Sequence, residues 1–363
     1  MFTAATLQPG DAPTVHRIQP LQDARWSRFL EQHPDASVFH SAAWLTALQR
    51  TYNYEPVAFT TSPPGNELRN AVVACYVNSW LTGRRLVSLP FSDHCELLTD
   101  GPVSRTAVLS SLRRELPDRK LAYIELRPLV ALTDPGALFH SNYEFRLHRI
   151  DLNPDLDTLF HNCHKDSTQR KIRRAIREDL RYEEGTSDYL LDTFYRLLLL
   201  TRRRHQIPPQ PKEWFQNLIA SFGSELKIRV ALKGQTPVAS ILTLRHKHTL
   251  VYKYGCSDPQ FNNLGGTHLL FWKSIEEAKH DGLRVFDLGR YEADNAGLIT
   301  FKDRWGSTRS TLIYSRLAAS SESKNNYRPA GPNPRFRMIK RIFSHLPERV
   351  QYSVGNVLYK HIG

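Results

Sequence analysis

The sequence predicts a two-domain α/β protein built by internal duplication. Its 363 residues exceed what one ordinary core organises, and two domains are the usual outcome at such a length. Strand-like and helix-like segments follow one another in the same order in both halves of the chain. The order indicates mixed α/β (α+β) units, each with an antiparallel-rich sheet flanked by helices.

The first half contains the segments of one such unit. A helix is predicted from Ala42 to Tyr52, where Trp44, Leu45 and Leu48 recur at helical spacing. The segments that follow in chain order are an apolar strand at Asn70–Tyr76, a second strand at Arg84–Asp93, a helix-compatible stretch at Arg105–Glu115 and a strand at Tyr123–Arg127.

The second half repeats this order. Its segments are a helix at Tyr189–Thr201, strands at Pro237–Leu244 and His248–Asp258, a helix at Thr267–Lys279 and a strand at Leu283–Leu288. The matched pairs Val72/Val238, Asp93/Asp258 and Glu125/Asp287 lie 166, 165 and 162 positions apart. A near-constant offset across three elements supports duplication. We assign residues 14–150 to the first domain and residues 151–318 to the second.

Residues 319–363 form a predicted linker and tail. Residues 320–334 are rich in Ser, Asn, Pro and Gly, as linkers are. The basic stretch after them has an apolar helical face, formed by Phe336, Met338, Ile339, Ile342, Phe343 and Leu346. Two alternatives remain open, because this face would either lie on a membrane surface or pack back on the protein.

The charge of the chain favours anionic partners. Its formal net charge is +13, which suits nucleotides, RNA, phospholipid surfaces or anionic saccharides. A basic helix is predicted from Lys165 to Arg181, with Arg170, Arg174, Arg177 and Arg181 on one face. This face would either bind the phosphates of an acceptor or of tRNA, or be an ordinary solvated surface.

The location and redox state follow from simple patterns. No apolar run approaches the ~20 residues that span a bilayer, and Met1–Pro13 is unlike a secretory signal. We expect a cytoplasmic protein, with the tail as a candidate for peripheral contact with the inner membrane. The four cysteines are scattered, which predicts reduced, mostly buried thiols and no metal site.

A glycine pair between a strand and a helix is the most informative local feature. Gly265 and Gly266 follow the strand that begins at Thr249 and open the helix at Thr267. Glycine lets a backbone approach a ligand closely, and a helix N-terminus offers free N–H groups to an anion. We expect the amides from Leu264 to His268, with Thr267 between them, to bind an anionic donor. We also expect a double valine variant to lose donor binding and keep its fold.

Four sequence patterns resemble the Fem-like, tandem acetyltransferase-fold superfamily. They are Phe39-His-Ser-Ala-Ala-Trp44-Leu, Leu89-Pro-Phe-Ser-Asp93-His94, Ser167-Thr-Gln-Arg170-Lys171-Ile-Arg-Arg174-Ala, and Phe286-Asp287-Leu-Gly289-Arg290 followed by Gly297-Leu-x-x-Phe301-Lys302-x-x-Trp305-Gly306. The resemblance implies two tandem GNAT-like domains. It is closest to acetyltransferase-domain proteins of exopolysaccharide and cellulose clusters, because those often end in a short tail such as Leu358–Gly363.

The resemblance implies an acyltransferase that works by direct transfer. We expect acyl-CoA as co-substrate, no permanently bound cofactor, and an acceptor that is an anionic small molecule or a cell-envelope saccharide precursor. One alternative is an aminoacyl-tRNA-dependent transferase acting on a peptidoglycan precursor, although no coiled-coil insertion for tRNA is visible. Another is a non-catalytic accessory protein of polysaccharide synthesis. We expect no DNA partner.

The same resemblance suggests roles for individual residues. Lys302 and Arg290 are candidates for stabilising an oxyanion or binding an acceptor anion, and the aromatic residues Phe301 and Trp305 should limit the hydration of Lys302. The candidates for general base are Asp287, Glu292 and Asp294, then Asp93 and His94. Tyr252 and Tyr254 are expected to point the same way along their strand, and Tyr254 would return a proton to the leaving group. The expected acceptor-binding residues are Asp93, His94, Arg170, Arg174 and Glu292. Structural roles, such as a salt bridge between Asp287 and Arg290, explain several of these residues equally well.

Overall fold

The structure is a computed structural model that describes residues 13–80, 83–132, 139–318 and 359–361. These residues form two compact units. The first unit contains residues 13–143 of these ranges, residues 313–318 and His361, and the second contains residues 144–312 with Tyr359 and Lys360. The predicted linker and amphipathic tail lie outside the described residues, apart from Tyr359–His361. The domain boundaries predicted at residues 150 and 318 remain predictions.

The first unit is a mostly antiparallel sheet with helices. Its strands are β1 (His16–Ile18), β2 (Glu55–Thr60), β3 (Val72–Ser79), β4 (Gly83–Val87) and β5 (Tyr123–Leu126). Its helices are α1 (Arg25–Gln32), α2 (Ala42–Tyr52) and α3 (Pro102–Asp118). The strands pair in the order β1-β2-β3-β4-β5, antiparallel except for the parallel pair β4–β5. Residues 315–318 of a later strand then pair with β5.

The second unit follows the same plan. Its strands are β6 (His140–Asp151, whose first four residues belong to the first unit), β7 (Leu180–Gly185), β8 (Leu226–Lys233), β9 (Thr236–His246), β10 (Thr249–Ser257), β11 (Val285–Glu292) and β12 (Thr308–Ala318, whose last six residues belong to the first unit). Its helices are α4 (Leu156–Asn162), α5 (Arg170–Arg177), α6 (Asp188–Arg204), α7 (Lys212–Phe222), α8 (Gly266–His280) and α9 (Ala296–Asp303).

The topology of the second unit confirms the tandem fold. Its strands pair in the order β7-β8-β9-β10-β11, antiparallel except for the parallel pair β10–β11, and β6 then pairs with β11. In both units one helix, α3 or α8, connects the two parallel strands. A shared order of pairing, direction and crossover over five strands is the pattern that internal duplication produces.

The parallel strands of the second unit separate beyond their first residues. Their register covers Thr249–Val251 and Val285–Asp287, whereas β10 continues to Ser257 and β11 to Glu292. The connection from β10 to α8 therefore leaves the sheet beside the point where pairing stops. This arrangement creates space at the N-terminus of α8.

Helix α8 is the central core element of the second unit. Leu269, Leu270, Phe271, Ile275 and Ala278 are buried in one cluster with residues of β9 and β11. Leucine, alanine, glutamate and lysine favour the helix, and Gly282 ends it in the left-handed conformation with φ +71°. The amphipathic pattern predicted this helix to within one residue at each end.

Two predicted elements differ from the structure. The strand expected at Arg84–Asp93 ends at Val87, because Leu89 and Phe91 adopt φ values of +61° and +60° and the chain turns. The basic helix expected at Lys165–Arg181 begins with a π turn over Lys165–Gln169 and ends at Arg177, so that Arg181 lies in β7. The prediction that Arg181 shares a helical face with Arg170, Arg174 and Arg177 is therefore wrong.

Two further expectations from the sequence concern the cysteines and membrane-spanning helices. The four cysteines are free and buried, as the sequence predicts. Burial raises the pKa of the Cys95 and Cys163 thiols to about 12, so both stay protonated at neutral pH. Within the described residues, no helix is both long enough and apolar enough to cross a membrane.

A buried ion network ties α8 to the edge of its sheet. The guanidinium of Arg229 on β8 is only 2% exposed and forms ion pairs with Glu184 on β7 and Glu277 on α8. Lys227 forms ion pairs with the same two carboxylates. Burial opposes ionisation of Glu184, but hydrogen bonds from Lys227 and Tyr182 and the charge of Arg229 lower the pKa of its carboxyl to about 2. The network should therefore stabilise the unit most when Glu184 is ionised.

This network predicts acid sensitivity. The depressed pKa of Glu184 stabilises the fold above pH ~4.5, and this contribution is lost as the pH falls towards about 2. We expect Glu184→Gln to lower the free energy of unfolding by about 1–2 kcal/mol at pH 7, a range typical of hydrogen bonds to charged groups. Urea titrations at pH 7 and pH 3 measure it, and the deficit should shrink at pH 3. Glu183→Gln is the matched control. Equal effects of the two variants at both pH values would contradict this role.

Candidate functional site

The candidate site is centred on the N-terminus of α8. After β10 the chain makes a 3₁₀ turn over Pro259–Leu264, and Gly265 then caps the helix with φ +84°. The Gly265 carbonyl accepts the first helical hydrogen bond, from the Leu269 amide at 3.0 Å. The amides of Gly266, Thr267 and His268 precede this bond and are those a helix N-terminus can offer to an anion. The predicted strand–turn–helix geometry is present.

Close packing explains the glycine pair. A Cβ on Gly265 would lie 2.4 Å from the backbone oxygen of Lys171 on α5. A Cβ on Gly266 would lie 2.9 Å from Val238 Cγ2 and 3.2 Å from Ala239 Cβ on β9. Valine at both positions therefore has to displace parts of α5 and β9, so we expect this variant to be destabilised as well as to lose donor binding. The glycines bring three elements together around the turn.

A pocket of about 200 Å³ lies at this junction. Its lining residues come from α5, β9, β10, the turn, α8 and α9, and they are Lys171, Val238, Ala239, Ser257, Phe261, Asn262, Gly265, Gly266, Thr267, His268 and Phe301. Lys171 contributes a positive charge beside the helix N-terminus, which also attracts anions. Sequence analysis placed Lys171 on the basic helix and did not assign it to this site. Leu264 ends the 3₁₀ turn immediately before the pocket.

His268 lies in the pocket as an uncharged ring. It is stacked on Trp305 with ring centroids 5.8 Å apart and meets Phe301 edge-on at 5.5 Å. Burial, reinforced by the positive charges of Lys171 and Arg304, lowers the pKa of His268 to about 3. At neutral pH the ring can form a hydrogen bond with the molecule that donates the acyl group, but it cannot attract an anion by charge.

Lys302 is buried, as its aromatic neighbours predict. The residue is 3% exposed, and its Nζ donates to the Gly289 carbonyl at 2.7 Å. The ammonium also lies 4.5 Å from the centre of the Tyr291 ring, a distance typical of a cation–π contact. Gly289 has φ +73° where the pairing of β6 and β11 shifts register, which turns its carbonyl out of the ladder. Lys302 is thus fixed to β11, next to the pocket residue Phe301.

Asp287 and Arg290 have partners that sequence analysis did not foresee. Asp287 is buried, and its Oδ1 accepts from the Gly289 amide at 2.8 Å while its Oδ2 accepts from Arg149 Nε at 3.1 Å. Arg290 lies over the Phe145 ring at 4.2 Å. Arg149 and Phe145 belong to β6, a strand that was not predicted from the sequence. These contacts give both residues a role in holding β11.

Tyr252 and Tyr254 do not point the same way. The register of β9 and β10 shifts between them, so Lys253 is an extra residue and the usual alternation is interrupted. The Tyr252 ring packs on Phe271 of α8, with centroids 4.7 Å apart. The Tyr254 hydroxyl instead accepts from Trp214 Nε1 on α7 at 2.8 Å. Tyr254 therefore packs against α7, and it is not one of the residues that line the pocket.

The remaining predicted residues are dispersed. Arg170 is exposed on α5, Arg174 forms an ion pair with Glu178 at 3.6 Å, and Glu292 is exposed at the end of β11. Asp93 and His94 belong to the first unit. The Asp93 carbonyl accepts from the Tyr314 hydroxyl at 2.6 Å, and the His94 ring meets Phe39 edge-on at 5.3 Å. These contacts give Asp93 and His94 structural partners within the first unit.

Comparisons with known proteins agree with this fold. Residues 164–302 match the family model described as Acetyltransferase (GNAT) domain. The chain is 23% identical over 321 residues to the UDP-N-acetylmuramoylpentapeptide-lysine N(6)-alanyltransferase of Weissella viridescens, covering 80% of this chain and 91% of that protein. The crystal structure of FemX is similar with a TM-score of 0.66 at 13% identity, covering 90% of this chain and 100% of that chain. A tandem GNAT protein from the clavulanic acid biosynthesis pathway has a TM-score of 0.54 at 10% identity, covering 85% of this chain and 99% of that chain.

The contact between α5 and α8 predicts a difference between the two glycines that flank α8, Gly265 and Gly282. Gly282→Ala should cost about 1–2 kcal/mol of unfolding free energy, because an L residue is strained at its φ of +71° but meets nothing within 4 Å. Gly265→Ala combines a similar strain at φ +84° with the 2.4 Å approach to the Lys171 oxygen, and should cost about 1–3 kcal/mol more. Urea denaturation measures both values. Equal losses would mean that α5 yields at no cost.

Proposed function

We propose that the chain is a Fem-like, GNAT-fold acyltransferase that transfers an aminoacyl group from an aminoacyl-tRNA to an amine of a peptidoglycan precursor. The Weissella viridescens relative is named as an alanyltransferase that acts on the lysine of UDP-N-acetylmuramoylpentapeptide. Its similarity extends over both halves of this chain, which supports a reaction of the same class. The pocket at α8 is the proposed site of the aminoacyl group.

The observation that carries the proposal is the basic surface of α5 beside this pocket. Arg170, Arg173 and Arg177 are exposed on this helix, while Lys171 of the same helix lines the pocket. A donor with many phosphates could lie along the exposed arginines and extend its reactive end past Lys171. The net charge of +13 favours such a polyanionic donor over a neutral one.

The size of the pocket supports a bulky carrier that stays outside. Its volume of about 200 Å³ is below the ~300–1,000 Å³ of typical small-molecule sites. It suits an aminoacyl group with the adjoining sugar, while Lys171 of α5 lies beside the helix start. Acyl-CoA, with an exopolysaccharide-related acceptor, is the second candidate donor system. The glycine turn and helix N-terminus favour it, because they also suit a pyrophosphate.

The chemistry needs a charge stabiliser and a route for one proton. The acceptor amine attacks the ester carbonyl, a C–N bond forms, and the C–O bond to the terminal ribose breaks. The amine loses one proton, and the departing ribose oxygen gains one, so the reaction is balanced without a further reactant. Lys302 is the proposed stabiliser of the oxyanion, because it is held among apolar rings where a charge acts in a low effective dielectric.

Substitution of Lys302 tests its role. Lys302→Ala should lower kcat by about two orders of magnitude or more, the size seen when an oxyanion donor is lost, with little change in donor affinity. Lys302→Arg keeps the charge but not the geometry of the Gly289 contact, and should recover only part of the rate. Steady-state kinetics with the donor that binds measures both. A loss confined to KM would indicate uniform acceptor binding, and unchanged kinetics would remove Lys302 from the mechanism.

The donor is tested by binding to charge variants. Arg170→Gln with Arg177→Gln should weaken aminoacyl-tRNA binding and reduce the slope of log Kd against log salt by about 1–2, because two phosphate contacts are lost. Arg113→Gln with Arg114→Gln removes the same charge from exposed positions on α3 and is the matched control. Thermal stabilisation by acetyl-CoA is compared in parallel. Stabilisation by acetyl-CoA alone, or identical effects of both double variants on tRNA binding, would overturn the tRNA proposal.

A further inference from the structure

A buried histidine connects three elements beside the pocket. His148 on β6 is 0% exposed, and its Nε2 lies 2.7 Å from Asp303 Oδ1 at the end of α9. Its Nδ1 lies 2.7 Å from the hydroxyl of Tyr291 on β11. Asp303 is 44% exposed, so one end of this chain of hydrogen bonds reaches solvent. His148, Asp303 and Tyr291 have no assigned role in the proposed reaction.

We propose that His148 is a positioning residue for the donor pocket. With Asp303 and Tyr291 it forms a clip, the α9 clip, that holds α9 on β6 and β11 and so fixes Phe301 in the pocket wall. The identification of this pocket as the donor site rests on the proposed function. The clip itself rests on the hydrogen bonds.

Three consecutive residues of α9 link the clip to the pocket. Phe301 lines the pocket and meets Phe271 of α8 edge-on, with ring centroids 5.5 Å apart. Lys302 donates to the Gly289 carbonyl, and Asp303 accepts from His148. Because a helix moves as a unit, release of Asp303 would displace Phe301 and Lys302 together. The clip therefore fixes two residues that the proposed reaction uses.

The hydrogen bonds specify the protonation state of His148. An ionised Asp303 accepts a hydrogen bond from Nε2–H, which leaves Nδ1 of a neutral ring to accept one from the Tyr291 hydroxyl. A protonated ring has donors on both nitrogens, so the Tyr291 hydroxyl could no longer donate to it. The clip as described requires neutral His148.

The charges around His148 favour this neutral form. Burial lowers the pKa of His148 below 6.5, Asp303 opposes this shift, and Lys302 and Arg309 add to it. Tyr291 faces Asp303, Arg309 and Arg146, and burial raises the pKa of its hydroxyl to about 12, so it stays a donor. Above the lowered pKa of His148 the Tyr291 hydroxyl therefore donates to Nδ1, and as the pH falls through that pKa this bond is lost while Asp303 still accepts from Nε2.

Hydrogen exchange of the full chain tests the clip without any substrate. Exchange is followed by mass spectrometry in peptides from α9, from the start of α8 and from the middle of α8 as a reference for global unfolding. Tyr291→Phe keeps the ring under Lys302 and removes the bond to His148. It should lower protection of α9 and of the start of α8 by about fivefold, the size expected for one buried hydrogen bond, and leave the reference unchanged. Unchanged protection of α9 would overturn the proposal.

The pH dependence separates a titrating clip from simple packing. After correction for intrinsic exchange, protection of α9 in the wild type should fall on acidification below pH 6.5. Asp303→Asn keeps an acceptor for Nε2 but removes the charge that opposes the shift, so the fall should move to lower pH. His148→Gln keeps a donor for Asp303 and cannot titrate, so the fall should disappear. Asp157→Asn, an exposed residue of α4, is the control and should match the wild type. Parallel curves for all four proteins would overturn the proposal.

Kinetics then distinguishes the clip from the proposed function. With the donor that supports transfer, Tyr291→Phe should raise the donor KM about fivefold near neutral pH. His148→Gln should lose the acid limb of kcat/KM that arises from this group. If neither donor supports transfer, the proposed function fails while the exchange results still decide the clip. If Tyr291→Phe lowers the protection of α9 from hydrogen exchange but leaves the donor KM unchanged, the clip does not position the pocket. That result would overturn the inference.

Discussion

The contact on which the second unit depends is the approach of the Lys171 backbone to Gly265. It is too close for any side chain at residue 265, and it holds the start of α5 against the start of α8. Gly266 brings the same turn onto β9. Because parallel pairing of β10 and β11 stops after three residues, the turn is set beside an open part of the sheet. The pocket, its lysine and the basic surface of α5 all follow from this arrangement.

The two copies of the fold have kept one feature and lost another. Each carries a buried carboxylate at the matching place on its last parallel strand, Glu125 or Asp287, and each carboxylate binds arginine. Burial opposes ionisation of Glu125, but Arg127 and Arg316 outweigh it and lower its pKa. At the place that matches Gly265, immediately before α3, the first copy has Gly101, whose φ of 166° is extended, whereas Gly265 has φ +84°. The carboxylate thus serves the shared fold, and the glycine turn serves the site of the second copy.

The sequence predicts what depends on local pattern. Periodicity located α2 and α8, and the offset between halves predicted the duplicated topology that the structure confirms. The aromatic residues around Lys302 predicted its burial but could not identify the Gly289 carbonyl as its partner, because that bond depends on a bulge. The irregularity at Lys253 likewise reversed the expected direction of Tyr254. Strand β6, which supplies Arg149 and His148, was missed although Tyr143, Phe145 and Leu147 alternate with polar residues in it, so its contacts were not foreseen.

The transfer reaction itself is the most direct test of the proposed function. The purified protein is incubated with UDP-N-acetylmuramoylpentapeptide and either alanyl-tRNA or acetyl-CoA, and the products are analysed by tandem mass spectrometry. We expect an alanyl group on the side-chain amine of the pentapeptide in the tRNA reaction. Lys302→Ala should yield much less of this product. An acetylated product from acetyl-CoA, with none from alanyl-tRNA, would contradict the proposed function.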